Sequence, residues 1–265
     1  VRRWEREAPG LLQIGERDSA LLPTVKLSGG LVSYPLVGVI SPWNFPVKLS
    51  LIDAVPALAA GCAVLIKPSE VTPRFVAPLR KTLSVVPELE SVLDFVLGDG
   101  ATGASIVEVS DAVCFTGSVP NGRKVAEAAA RRFIPVFLEL GGKDPAIVLR
   151  GADLDRASDA VLRASCMATG QACLSIERVY VDRRIFDDFV ARLVDKASKI
   201  GINYPDIASG QLGPLIFSRQ AEIIDAQLDD ALAKGARILC GGKTLNLDGG
   251  RWCRATVVVG VDHRM

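Results

Sequence analysis

Histidine is nearly absent: His263 is the only one in 265 residues. A zinc site of the usual His and Cys composition, or a Cys–His hydrolase, would have to draw on that single ring. Cysteine is also sparse. There are six, and no two make a Cys-x-x-Cys pair, so neither a secreted disulfide framework nor a zinc ribbon fits. The expected setting is reducing and cytoplasmic, with most thiols acting as small core hydrophobes. Long apolar runs are missing too. The stretch Ala54 to Ile66 is broken by Pro56 and Gly61 and runs into Lys67, which is too short to span a bilayer. Charge of one sign does not accumulate either. Lys and Arg number 31 against 30 Asp and Glu, for a net +1, so nucleic acid is not an expected partner.

What is present suits one large or two medium domains, since 49% of the residues are hydrophobic and can build substantial cores. The opening Val-Arg-Arg-Trp-Glu is neither a secretory signal nor an initiator Met. With a last residue just after an expected strand, both ends read as cut. Short runs of Val, Ile and Leu alternate with amphipathic stretches. The pattern predicts a charged helix over 1–16, an extended segment over 31–40, and a helix near 49–60. A strand follows at 63–66, a helix near 72–85, strands at 93–97 and 112–115, a helix over 121–132 and a strand at 136–138. After an apolar run at 147–149 come a helix near 154–168, a strand at 179–182 and a helix near 186–200. A long helix near 219–234 then precedes strands at Ile238 and 256–259. Strands of this composition, each followed by a helix, call for an α/β fold with a parallel sheet covered on both faces. The expected boundary is Gly141-Gly142, dividing residues 1–140 from 141–265, because glycine permits bends that other residues resist.

Five segments carry candidate chemistry. Cys173 in Gly170-Gln171-Ala172-Cys173 lies downstream of Glu139 in Glu139-Leu140-Gly141-Gly142-Lys143, which suggests a thiol nucleophile and a carboxylate base. Phe115 to Gly122 reads as a strand-to-helix turn whose helix N-terminus suits phosphate. It lacks the Gly-x-Gly-x-x-Gly fingerprint, and a plain helix start accounts for it equally well. Lys67-Pro68-Ser69-Glu70 closes a strand, where ligand crevices open in parallel sheets, although a surface turn capped by Ser69 is the simpler reading. In Ser41-Pro42-Trp43-Asn44-Phe45-Pro46 two prolines stiffen a loop. Its Asn44 amide is either an oxyanion donor or part of a packing loop. Gly170 is expected to break the helix after Cys166, leaving Cys166 in the core and Cys173 exposed. Cys62, Cys114 and Cys240 sit in apolar runs and read as structural.

Taken in order, Ser-Pro-Trp-Asn-Phe-Pro, Lys-Pro-Ser-Glu, Phe-Thr-Gly-Ser, Glu-Leu-Gly-Gly-Lys and Gly-Gln-x-Cys resemble the aldehyde dehydrogenase superfamily over essentially the whole chain. The resemblance implies a doubly wound, Rossmann-like cofactor domain over 1–140 and a second α/β catalytic domain over 141–265, both incomplete. Residues 24–34 would belong to an oligomerisation ribbon. It makes Cys173 the nucleophile, Glu139 the general base and Asn44 the side-chain oxyanion donor. Lys67 and Glu70 become adenosine-ribose contacts, and Gly117, Ser118 and Gly122 the turn beside the pyrophosphate. Ser41, Pro42, Trp43, Ser69, Gly100, Gly103, Phe115 and Leu140 complete the cofactor side. NAD is the expected cofactor, with NADP as the alternative, because the Glu70 carboxylate would repel a 2′-phosphate. No metal is implied. The substrate is a small aldehyde, and the full-length protein a homodimer or homotetramer.

The sequence also departs from the pattern. Cys166, Met167 and Ala168 stand where many relatives carry aromatic residues and an Asn. The Glu-x-Phe-Gly-Pro segment that grips the nicotinamide ribose is missing, so these residues alone are expected to be inactive. The run from Cys173 to Tyr180 resembles bacterial succinate-semialdehyde dehydrogenases but is too short to fix a substrate. Two other chemistries compete: a CoA-acylating semialdehyde dehydrogenase, which would usually lack the Glu, and a thiol hydrolase or thioesterase with no redox step. A relative that has lost activity is disfavoured by the presence of Cys173, Glu139 and Asn44.

Overall fold

In the computed structural model, which describes residues 2–265, five β-branched and leucine-rich segments pair into one parallel sheet. They are β1 (Leu36–Ile40), β2 (Ala63–Lys67), β3 (Leu93–Phe95), β4 (Ala112–Gly117) and β5 (Val136–Leu140). Their order is β3-β2-β1-β4-β5. Successive side chains of a strand face opposite ways, and both faces here are apolar. Val37, Val39, Val64 and Ile66 join Phe95 and Ala112 on one face. There they meet Ala54 of α1 (Pro46–Ala59) and Val76 of α2 (Val76–Leu83). The alternate residues Ile40, Val113 and Phe115 pack with Ile106 and Val107 of α3 (Gly100–Val109) and Ala129 of α4 (Val119–Arg131). Burial on both faces is why the central strands β1, β2 and β4 read as unbroken apolar runs.

Helix boundaries follow local chemistry. Proline at the first position starts α1, where its missing N–H costs nothing. Gly61, at φ 84°, ends it. The Gly61 N–H donates to Leu58 C=O and the Cys62 N–H to Ala57 C=O, both at 3.0 Å, which is the Schellman arrangement. The helix expected over 72–85 is interrupted, with a 3-10 turn at Pro73–Phe75 preceding α2. Helix α3 was not expected from the sequence, since Gly100 and Gly103 lower helix propensity. The Asp99 carboxylate compensates by accepting from the Ala101 N–H at 2.9 Å and the Thr102 N–H at 3.4 Å. Gly38 then lets α3 approach the sheet. A Cβ there would stand 2.4 Å from Ser110 Oγ and 2.5 Å from Ile106 Cγ2.

This first compact unit ends at Leu140, and a second runs over Gly141–Met265. The N-terminal helix covers Arg2–Leu11 rather than 1–16; Val1 lies outside the described residues. Of the segment 24–34, Lys26–Leu27 pairs antiparallel with Arg17–Asp18, and the strand expected from Leu31 begins at Leu36.

The second unit starts with a strand–helix–strand pattern written in its sequence. Strand β6 (Asp144–Val148) leads through α5 (Leu154–Cys166) to β7 (Ile176–Val181), parallel to it. Val148 and Val161 pack with Phe189 and Leu193 of α6 (Phe186–Ser198). The Asp153 carboxylate caps α5 from the Asp155 and Arg156 N–H groups at 3.0 and 3.1 Å. After α7 (Arg219–Ala233), β8 (Arg237–Cys240) pairs antiparallel with the last strand, Val257–Val259. A hairpin, unexpected from the sequence, lies between them: Thr244–Leu247 against Gly250–Cys253. Its turn, Asp248-Gly249, has φ of 46° and 79°, the doubly positive geometry that Asp-Gly favours. No helix among the described residues is long and apolar enough to cross a membrane.

Candidate active site

The strand order reverses at β1 and β4, and in open parallel sheets ligands bind outside the carboxyl ends of strands at such a point. Three of the singled-out segments leave the sheet there. Ser41 follows β1 and is tied down twice: its N–H donates to Lys67 C=O at 3.0 Å, and its Oγ lies 2.7 Å from Oγ of the fully buried Ser50. Pro42 and Trp43 continue the loop, and the Thr72 hydroxyl donates to Trp43 C=O at 3.0 Å. Asn44 Oδ1 accepts from the Phe45 N–H at 3.1 Å, so the loop's own backbone helps to orient that amide.

Lys67 ends β2 with its side chain 5% exposed and its Nζ 2.7 Å from Glu70 Oε2. That hydrogen bond holds the Glu70 carboxyl below the usual carboxylate range. Ser69 is buried and accepts from the Val71 N–H at 3.3 Å. At the end of β4, Gly117 closes the strand and Ser118 precedes α4 in extended conformation, its side chain making no cap hydrogen bond. The first turn of α4 therefore presents backbone N–H groups that the Ser118 hydroxyl does not cap.

The remaining cofactor-side residues sit differently. Phe115 belongs to the second face's core, with Leu140 packed against it. Gly122 is buried, and a Cβ there would stand 2.5 Å from Leu140 Cδ2. Gly103 is buried near Ile40, while Gly100 is exposed in the first turn of α3. Phe115, Leu140, Gly122 and Gly103 thus pack on one face of the sheet, whereas Ser41 to Asn44, Lys67 to Glu70 and Gly117-Ser118 stand at the carboxyl ends of β1, β2 and β4.

Glu139 is exposed on β5, in register with Thr116. One neighbour escaped sequence reasoning. Asp53, in the middle of apolar α1, has its carboxyl pushed up by burial and by the charge of Glu139. Cys114 is pushed up to about 12 by burial and by Asp53. The signal was an acid between Ile52 and Ala54 with no polar neighbour on either side.

In the second unit, α5 stops at Cys166, short of the expected residue 168. A 3-10 turn, Met167–Gly170, follows, with Ala168 at φ 51°, ψ 36° and Thr169 at φ 59°, ψ 34°. Gly170 continues at φ 70°. Left-handed backbone costs a non-glycine residue about 1–2 kcal/mol, so contacts elsewhere must hold this turn. The Gly213 N–H donates to Thr169 Oγ1 at 2.9 Å, and the Ile216 N–H to Gln171 Oε1 at 2.8 Å. Beyond the turn Ala172 is buried and Cys173 exposed. Cys173 is the only exposed thiol among the described residues. Burial raises the pKa of Cys166, Cys240 and Cys253, and Cys62 is buried in the first core.

Residues 32–265 match the aldehyde dehydrogenase family. The chain belongs to that family. It is 39% identical, over its whole length, to a Mycolicibacterium smegmatis protein named as a putative NADP(+) succinate-semialdehyde dehydrogenase, of which it covers 52%. Among solved structures, the putative aldehyde dehydrogenase PutA from Anabaena variabilis is 55% identical with a TM-score of 0.96, over 100% of this chain and 56% of that one. Betaine aldehyde dehydrogenase from Staphylococcus aureus, solved with NAD+, is 33% identical with a TM-score of 0.78, over 87% of this chain and 47% of its own. The chain spans about half the length of the curated relatives it matches. The family resemblance and the α/β parallel-sheet fold read from the sequence both hold.

Proposed function

We propose that the intact protein oxidises an aldehyde to a carboxylic acid with a nicotinamide dinucleotide, through a thioester on Cys173. The observation that carries this reading is the state of the six thiols: Cys62 is buried, four are half-buried, and Cys173 stands exposed after a left-handed turn. A nucleophile must reach its substrate, and a structural thiol need not. Family membership supports the same chemistry.

A dinucleotide would lie across the carboxyl ends of β1, β2 and β4 in the first unit. Burying the Lys67 ammonium carries a desolvation cost that an ordinary surface turn would not incur, and the Glu70 carboxylate offsets it. That pair would hold the adenosine ribose, while the start of α4 after Gly117-Ser118 would meet the pyrophosphate. Glu70 stays anionic at neutral pH, and its charge would oppose a 2′-phosphate, so NAD is preferred over NADP.

In the proposed reaction the Cys173 sulfur attacks the carbonyl carbon. The Asn44 amide and the Cys173 backbone N–H receive the oxyanion. When bound, the dinucleotide supplies the hydride acceptor. Glu139 then takes a proton from the water that attacks the thioester, and the acid leaves with the thiol restored. Mixing the intact protein with NAD and a panel of aliphatic, aromatic and semialdehyde substrates tests this. Reduced nicotinamide and carboxylic acid should appear in equal amounts. Ester hydrolysis without nicotinamide reduction would instead identify a thiol hydrolase, and turnover that requires CoA a CoA-acylating enzyme. The dehydrogenases named for succinate semialdehyde among the relatives make that compound the first member of the panel.

A further inference from the structure

We propose that Thr169 and Gln171 are positioning residues that clip the nucleophile turn onto residues 213–216 and so hold Cys173 in its reactive place. This rests on the reading of Cys173 as the nucleophile. Three backbone groups of the receiving segment are engaged by these two side chains. The Gly213 N–H donates to Thr169 Oγ1 at 2.9 Å, and the Ile216 N–H to Gln171 Oε1 at 2.8 Å. Gln171 Nε2 donates to Pro214 C=O at 3.4 Å and to Ala168 C=O, within the turn, at 3.3 Å. The turn is thus tied both to the segment and to itself.

The receiving segment is itself anchored. Leu212 and Leu215 are buried at 2% and 8% exposure. The Leu215 N–H donates to Arg251 C=O at 2.7 Å and the Leu212 N–H to Gly201 C=O at 3.0 Å. Against this mount, Ala168 and Thr169 adopt a backbone conformation that neither favours alone. Without the clip, the local preference is for α5 to continue, which would rotate every residue after Cys166 and carry Cys173 with it. Misplacing a reacting atom by about 1 Å costs on the order of a hundredfold in rate.

The test uses the intact protein, with reduced-nicotinamide production as one readout and the iodoacetamide alkylation rate of Cys173, followed by peptide mass mapping, as the other. Gln171→Leu should lower kcat about 30-fold with the KM for NAD held within about threefold, and should move the alkylation rate at least about threefold. Adding Ala168→Gly to that variant should recover at least about fivefold of the lost turnover, because glycine takes the left-handed conformation without strain. Thr169→Val should lose about tenfold and Thr169→Ser, which keeps the acceptor oxygen, should restore it. Parent-like turnover and alkylation in Gln171→Leu and Thr169→Val would overturn the clip, as would no recovery on adding Ala168→Gly. Should Gln171→Leu fail to fold, the Thr169 pair decides alone. A Cys173→Ser variant that still reduces NAD with aldehyde would sink the functional reading instead, and the clip would then be judged by alkylation rates.

Discussion

The strand-end loops of the first unit and the thiol turn of the second are built by opposite means. Around Lys67, Ser41 and Ser118 the supporting structure is a regular five-stranded sheet, and each loop emerges where a strand ends. Around Cys173 there is no such scaffold. A helix stops early, three successive residues turn left-handed, and the shape is held by hydrogen bonds to residues some 43 to 45 positions further on. A dinucleotide needs an extended edge of backbone donors, which a sheet supplies through repetition. A nucleophile needs one atom held in place, which a strained turn can supply if something distant holds it.

Five variants would break or sharpen this contrast. Cys173→Ser should abolish turnover, by about 10⁴-fold or more, whereas Cys114→Ser, at a half-buried thiol of β4, should keep parent-like aldehyde kinetics. Equal losses in the two would erase the distinction between exposed and withdrawn thiols. Glu139→Gln should cost about 10²–10³-fold in steady-state turnover while leaving a first burst of reduced nicotinamide of one equivalent per site. Stopped-flow absorbance separates the two phases, and a vanished burst would remove Glu139 from the hydrolytic step.

Gly38→Val should destabilise the first unit by about 1–3 kcal/mol, because the added carbons collide with Ser110 and Ile106. Thermal unfolding would show this as a midpoint lower by several degrees, and an unchanged midpoint would mean that α3 can move away freely. The smallest effect belongs to Glu70→Gln, which should raise kcat/KM with NADP relative to NAD about tenfold. The pH dependence has a definite sign. The Lys67 hydrogen bond holds the Glu70 carboxyl below its ordinary range, so the charge and its ion pair are present above that range. They are lost only as pH falls through the lowered value. Cofactor preference should therefore be flat from neutral pH down to about 5, and a shift near pH 6 or 7 would point to another group.

The three central strands of the first sheet, β1, β2 and β4, were legible because each buries both faces and so reads as an apolar run. Helix α3 was not, because Gly100 and Gly103 argue against a helix and the Asp99 cap that rescues it is a single side chain. The hairpin at Asp248-Gly249 carried a clear local signal that the longer apolar patterns around it obscured. Asp53 belongs to none of the motifs and was not singled out from the sequence. Only the fold brings it under the influence of Glu139 on β5 and next to Cys114 on β4.

The amino-acid sequence by itself determined the alternation of strands and helices, the residues available at each strand's carboxyl end, and the family to which the chain belongs. These depend on neighbours in sequence, whose side-chain sizes and polarities act over a few residues. Tertiary structure alone decided the left-handed turn before Cys173. Ala168 and Thr169 would not choose that backbone unaided, and the partners of Thr169 and Gln171 that select it come from a segment more than forty residues away.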